Sequence, residues 1–263
     1  MHILANGCSN TWGAGLGYED IPELPIHGKA VNDASRALHQ QRVNQTWPGQ
    51  LAQYLGAESV TNLGISCGSN QRIIRTTLEW CLQQTPEKLK NTVALIQWTH
   101  SMRYEYYVPK KDSIWSFLTT PTECPPINNI SIDPNRWAKV KTGVRIGLPN
   151  EPKTLLRWPL EEVAQARYLL WTPEEGIYRD IECYSSLDSI FRGFGIKYFY
   201  WHYIGYNLNP SLEEWATHTF NWVDPTNPST QGWKFDRLPC SHPSVQGHQE
   251  IAKRIFDLIK TRL

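Results

Sequence analysis

An α/β fold with a parallel sheet is predicted by three features of this 263-residue chain. Three short runs at 1–6, 59–63 and 92–98 each empty into a turn of small polar residues. Two of these units lead on to helical periodicity, which is the βαβ rhythm of parallel strands. The run Thr92–Trp98 is apolar almost without interruption, as a strand buried on both faces requires.

The first strand, within Met1–Asn6, runs into Gly7-Cys8-Ser9-Asn10, with further glycines at 13, 15 and 17. Residues 18–46 are polar and aperiodic and read as a long loop. Thr46 then caps a short helix whose apolar side carries Trp47, Leu51, Tyr54 and Leu55, and Gly56 stops it. The second strand ends in the turn 64–70, where Asn70 is the expected cap of a helix reaching about Gln84. Ile74, Leu78, Cys81 and Leu82 are its expected buried stripe. The third strand ends in Thr99-His100-Ser101.

The rhythm then breaks. Residues 104–159 mix Pro, Asn, Lys and aromatics with no sustained period and read as an insertion leaving the third strand. A helix-like piece follows at about 160–170. Thr172-Pro173-Glu174-Glu175 opens a long helix with a stripe of Ile177, Ile181, Tyr184, Leu187, Ile190 and Phe191. Gly193 and Gly195 end it, and a fourth strand spans 196–203. Ser244 caps a final helix that turns His248, Ile251, Ile255, Leu258 and Ile259 to one side.

Composition narrows the function. A net charge of +1 gives no reason to expect nucleic acid or an acidic membrane surface. Six cysteines without a C-x-x-C spacing make neither a disulfide scaffold nor a zinc ribbon. No apolar run reaches membrane-spanning length and no secretory leader is read, so a cytoplasmic or virion-associated protein is expected. One domain over 1–263, with its insertion, accounts for the length, and oligomeric state is left open. Twelve tryptophans and twelve tyrosines are a heavy aromatic load, for which core packing is the default role.

Chemistry enters at the strand ends. Acyl transfer by serine needs an accessible hydroxyl, a histidine to take its proton, and N–H donors for the oxyanion. Ser9 stands at the first strand's exit, where Ser and Gly could also be mere turn formers. His242 lies in a His-Pro turn just ahead of the final helix. The turns at 66–70 and 99–101 leave the same edge of the sheet as Ser9.

In order and spacing, Gly7-Cys8-Ser9, the segment Asn62–Asn70, Trp98-Thr99-His100-Ser101 and His242-Pro243 resemble the four blocks of the SGNH (GDSL-type) hydrolases. The resemblance covers 1–103 and about 172–263. It implies a flavodoxin-like, three-layer α/β/α sandwich with Ser9 as nucleophile and His242 as general base. It further implies oxyanion donors at Ser9, at Cys67 or its neighbour Gly68, and at His100, with Thr99 as the alternative. Cys8 replaces the family's aspartate beside the nucleophile. Pro239 stands where the family's catalytic aspartate belongs, which leaves Asp236, six residues before His242, as the candidate orienting acid. Trp12, Trp98 and Asn70 are the candidate substrate contacts.

Cys8, Cys67 and Cys240 each adjoin one block, which leaves a metal site, a disulfide or three small fillers as readings. No cofactor is expected. The expected activity is hydrolysis of a small-molecule or glycan acyl ester, such as a carbohydrate acetyl ester, or transfer of the acyl group to a sugar. The alternative is a binding or structural protein on the same fold, for instance the glycan-binding part of a phage particle.

Overall fold

The computed structural model describes residues 1–14, 16, 42–65, 68–99, 103–108, 114–118, 144–145, 173–202, 215–216, 218–224, 226, 233–238 and 242–263. Four strands form one parallel sheet: β1 (His2–Asn6), β2 (Ser59–Asn62), β3 (Thr92–Trp98) and β7 (Lys197–His202), in the order β2-β1-β3-β7. The expected parallel α/β sheet is therefore present, with β1 in its interior. Strand order reverses between β1 and β3, and in open α/β sheets ligands bind outside the strands' carboxyl ends at such a switch point.

Alternation along the strands assigns the two faces. Leu4, Ala94, Ile96, Trp98, Tyr198 and Tyr200 face one core. That core is closed by α3 (Asn70–Leu82), α4 (Pro86–Lys90) and α5 (Pro173–Phe194). Ile3, Ala5, Val93, Leu95, Phe199 and Trp201 face the other core, closed by α2 (Trp47–Tyr54) and α6 (Val245–Ile259). The result is three layers. Aromatic side chains fill much of both cores: Trp98 meets Tyr184 and Tyr200 on one side, and Trp201 lies between Trp47 and Trp233 on the other.

Two expectations shift. The buried residues of α3 are Asn70, Ile73, Thr77, Trp80 and Cys81, a stripe displaced from the expected one, and Leu82 is exposed. The helix is capped by Ser69, whose hydroxyl accepts from Arg72 N at 3.2 Å, and Asn70 is its first residue. In α5 the stripe runs through Tyr184, Leu187 and Phe191 as expected, but Asp180 and Cys183 are buried with them. Gly195, at φ +68°, lets Ile196 N return to Phe191 O at 2.9 Å and end the helix. Ser244 caps α6 as expected, accepting from Gly247 N at 3.1 Å.

Part of the segment read as irregular is a second sheet. β4 (Tyr104–Val108), β5 (Ile114–Leu118) and β6 (Val144–Arg145) pair antiparallel in that order. These runs are rich in strongly β-forming residues but too short to establish a period of two. The expected helical piece at 160–170 lies outside the described residues.

Candidate active site

Ser9 opens a single helical turn, α1 (Ser9–Trp12), directly after β1. Close packing explains the glycines around it. A Cβ on Gly7 would fall 2.3 Å from Thr11 Oγ1 and 2.9 Å from Gln97 Cβ, so β1 can leave the sheet this close to β3 only through glycine. A Cβ on Gly64 would fall 2.8 Å from Trp12 N, so the second turn also presses on the first.

Amide side chains brace the turn from β1 itself and from both neighbouring strands. Asn62 Nδ2 donates to Thr11 O at 2.6 Å, and Asn62 Oδ1 accepts from Gly64 N at 2.9 Å. Thr11 Oγ1 donates to Gln97 Oε1 at 2.6 Å. Asn6 Oδ1 accepts from Gly7 N at 2.9 Å, while its Nδ2 reaches Ile73 O at 3.1 Å and Thr77 Oγ1 at 2.9 Å. Ser9 O accepts from Gly13 N and Ala14 N. By contrast, neither the Ser9 hydroxyl nor its amide has a hydrogen-bond partner among the described residues. A rigid turn thus carries one uncommitted hydroxyl, 8% exposed.

The final helix is tied to the end of the Ser9 turn through α2. A Cβ on Gly13 would fall 2.6 Å from Thr46 Cγ2. The next residue, Trp47, donates its amide to His248 Nδ1 at 3.0 Å. That bond fixes the neutral tautomer of His248, with its proton on Nε2. Burial, reinforced by the proximity of His242, pushes His248 down to about 3. The candidate base therefore sits beside an imidazole that is neutral at neutral pH.

His242 belongs to a tight turn lying on α6. Leu238 N donates to His242 O at 2.8 Å and Ser244 N to Asp236 O at 3.1 Å. The Asp236 carboxylate accepts from the Ser244 hydroxyl, and its own N–H donates to Glu250 Oε2 at 2.9 Å. As the structure has it, Asp236 orders the start of α6, with Ser244 as its carboxylate's partner. A Cβ on Gly247 would fall 2.0 Å from Asp236 O, so the turn rests directly on the helix. Gly247→Ala is accordingly expected to cost about 1–3 kcal/mol through overpacking. Urea unfolding checks this, and an unchanged midpoint would refute the contact.

The other expected site residues separate. Gly68 N is committed to Ile65 O at 3.2 Å, which removes it as an oxyanion donor. Cys67, His100 and Cys240 lie outside the described residues. Trp98 is fully buried and packs as core against Tyr184 and Tyr200, which corrects its expected contact with substrate. Asn70 is corrected in the same way: its amide is taken up by Thr99 N at 3.0 Å, Thr99 O at 3.2 Å and Asp180 Oδ1 at 2.8 Å. Trp12 stays half-buried at the end of α1. Cys8 is a buried free thiol, 3.6 Å from both Gln97 Oε1 and Asn10 Nδ2, as a small filler would be. No cluster of metal-ligating side chains occurs among the described residues. No described helix is long and apolar enough to cross a membrane.

Asp180 was not anticipated. It is 2% exposed, and burial pushes it up to about 8 against the pull of its bonds from Asn70 and Tyr184. Its only sequence signal is a carboxylate on the apolar stripe of α5.

The described sheet and its two helical layers define the protein as an open α/β sandwich with a serine turn at the switch point. A family model described as a family of unknown function, DUF6071, matches residues 29–138, a span that includes the second and third turns but neither Ser9 nor His242. No curated protein matches the chain significantly. Among solved structures, the chain is similar to a member of the lipolytic protein G-D-S-L family from Veillonella parvula DSM 2008, at 11% identity and a TM-score of 0.45, with 100% of each chain covered. It is also similar to TesA, at 12% identity and a TM-score of 0.44, again with 100% of each chain covered. The roles assigned below rest on the turns of this chain.

Proposed function

We propose that the chain is a serine hydrolase of acyl esters, with Ser9 as nucleophile and His242 as general base. The observation that carries this reading is the uncommitted Ser9 hydroxyl on a braced turn at the carboxyl end of the interior strand. His242 takes the Ser9 proton as Oγ bonds to the ester carbonyl carbon. The Ser9 amide, also uncommitted, donates to the oxyanion. The ester C–O bond then breaks, and the departing alcohol takes the proton from His242. Water repeats the sequence and releases the acid. Cys67 N–H and His100 are the proposed partners of Ser9 in the oxyanion hole.

Acetyl esters on carbohydrate are the proposed substrate class. The support is the aromatic content of 104–159, a segment that leaves the sheet just after β3 and includes Tyr104, Tyr106, Tyr107 and Trp115. Aromatic faces suit sugar rings.

A fluorophosphonate probe tests the mechanism. Labelling is expected at Ser9 and is expected to be lost in His242→Ala. A folded protein that takes no label would overturn the proposal. That outcome would favour the second reading, a non-catalytic binding protein, which draws support from the engagement of Asp236 with Ser244.

A further inference from the structure

Asn70 and Asp180 form a buried polar brace that neither turn chemistry nor core packing calls for. Asn70 presents its carboxamide to Thr99 as a neighbouring strand would, accepting from Thr99 N and donating to Thr99 O. Thr99 is the residue at which β3 leaves the sheet. The second hydrogen on Asn70 Nδ2 goes to Asp180 Oδ1, which fixes the flip of the amide. Tyr184, one turn along α5, bonds Asp180 and also His202 at the carboxyl end of β7. Asn70, Asp180 and Thr99 are all at most 5% exposed, so water offers none of them a substitute partner.

A buried carboxyl among aromatic side chains is costly unless it is neutral and hydrogen-bonded. Asp180 meets both conditions at neutral pH. As the acid it keeps an acceptor for Asn70 and a polar partner in the Tyr184 hydroxyl. Leucine would fill the same space with no such balance to maintain.

We infer that Asp180 is a positioning residue: through Asn70 it holds Thr99, the exit of β3, in place beside β1, from which the Ser9 turn follows. The inference rests on the Ser9 hydrolase reading, in which His100, the residue after Thr99, contributes to the oxyanion hole. Asp180 touches no substrate. Its effect is on kcat, because a misplaced donor weakens transition-state binding and leaves ground-state binding largely intact.

Two variants separate this from a merely structural role. Asp180→Leu fills the space but removes the acceptor, and Asp180→Asn keeps an acceptor for Asn70 and a polar partner for Tyr184. With p-nitrophenyl acetate, Asp180→Leu is expected to lose about 10- to 100-fold in kcat per fluorophosphonate-reactive site, with KM within about threefold. Asp180→Asn is expected to recover to within about threefold of the parent protein. Equal kcat in the two variants would overturn the inference. Independently of activity, 15N-threonine labelling reports the Thr99 amide. Its protection from hydrogen exchange is expected to fall at least tenfold in Asp180→Leu and to persist in Asp180→Asn. Unchanged protection in Asp180→Leu would overturn the brace itself. If protection falls as expected but the parent protein shows no Ser9-dependent turnover, the hydrolase reading fails together with the catalytic role of Asp180, and the brace stands.

Discussion

Ser9→Ala is expected to lower ester turnover by about 10³-fold or more, while leaving the thermal midpoint within about 2 °C of the parent protein. The two halves of this result have separate physical causes. The turn is held through the Ser9 carbonyl, which accepts from Gly13 N and Ala14 N, and alanine keeps that carbonyl. The hydroxyl supports no hydrogen bond given by the structure, so its loss leaves no partner stranded. Its removal deletes only the group that would form the acyl bond. Steady-state kinetics and a thermal melt on the same preparation decide the matter. Retained turnover would reject Ser9 as nucleophile. Lost turnover with a midpoint lowered by many degrees would make Ser9 a structural residue.

The contribution of three buried groups to stability is expected to peak near pH 6.5, because they pull in opposite directions. His2 stacks on Trp80 at 5.4 Å, and burial, with Lys88 nearby, pushes it from 6.5 down to about 4. His248 is pushed down to about 3. Both stay neutral in the folded protein, so below pH 6.5 the unfolded chain takes up their protons first and stability is lost as pH falls. Asp180 works the other way. It keeps its proton up to about pH 8 in the folded state but only up to its ordinary 3.8 when unfolded. Its contribution is therefore whole below pH 3.8 and is lost as pH rises through 8.

Each proton is worth about 1.4 kcal/mol per pH unit. Between pH 4 and 6.5 two protons oppose one, so these groups give a net rise of about 1.4 kcal/mol per unit. Between 6.5 and 8 Asp180 acts alone and they give a fall of the same slope. Asp180→Asn is expected to flatten the upper limb and steepen the lower one to about 2.7 kcal/mol per unit. Urea titrations of both proteins from pH 4.5 to 8.5 give the difference curve, and parallel curves would reject an ionisable Asp180.

The sheet was legible because its signals are local. Thr92–Trp98 is apolar enough to be read as a doubly covered strand, and that is its extent in the structure. The α6 stripe of His248, Ile251, Ile255 and Ile259 was equally plain, since its cap and its period agree. What stayed hidden depends on distant partners. Ser69 and Asn70 are both good caps, and Thr99 decides between them by claiming the Asn70 amide. In α3 the sets starting at Ile73 and Ile74 have similar spacing, and burial of Trp80 selects the first. The amide of Gly68 looks available in sequence and is spent on Ile65 O in three dimensions. Asp180 contradicts the apolar pattern of its helix, and only Asn70 and Tyr184 explain how it can lie there. In the candidate site, sequence order singles out Ser9 and His242 as candidates, whereas the network holding the Ser9 turn comes from side chains without a motif.

The place of β1 has a consequence for how the chain reaches this structure. It is the earliest strand in sequence, yet both of its neighbours come later, with His2 set beside Ser59 on one flank and Thr92 on the other. No hairpin can prepare it. Chain-closure entropy over those long intervals must be met before any of its ladder forms, which makes the native topology one of high contact order and slow assembly. An apolar segment left waiting is open to association with other chains until β3 arrives. The serine turn, which follows β1 directly, is therefore made well before the strands that flank it and acquires its shape only after they arrive.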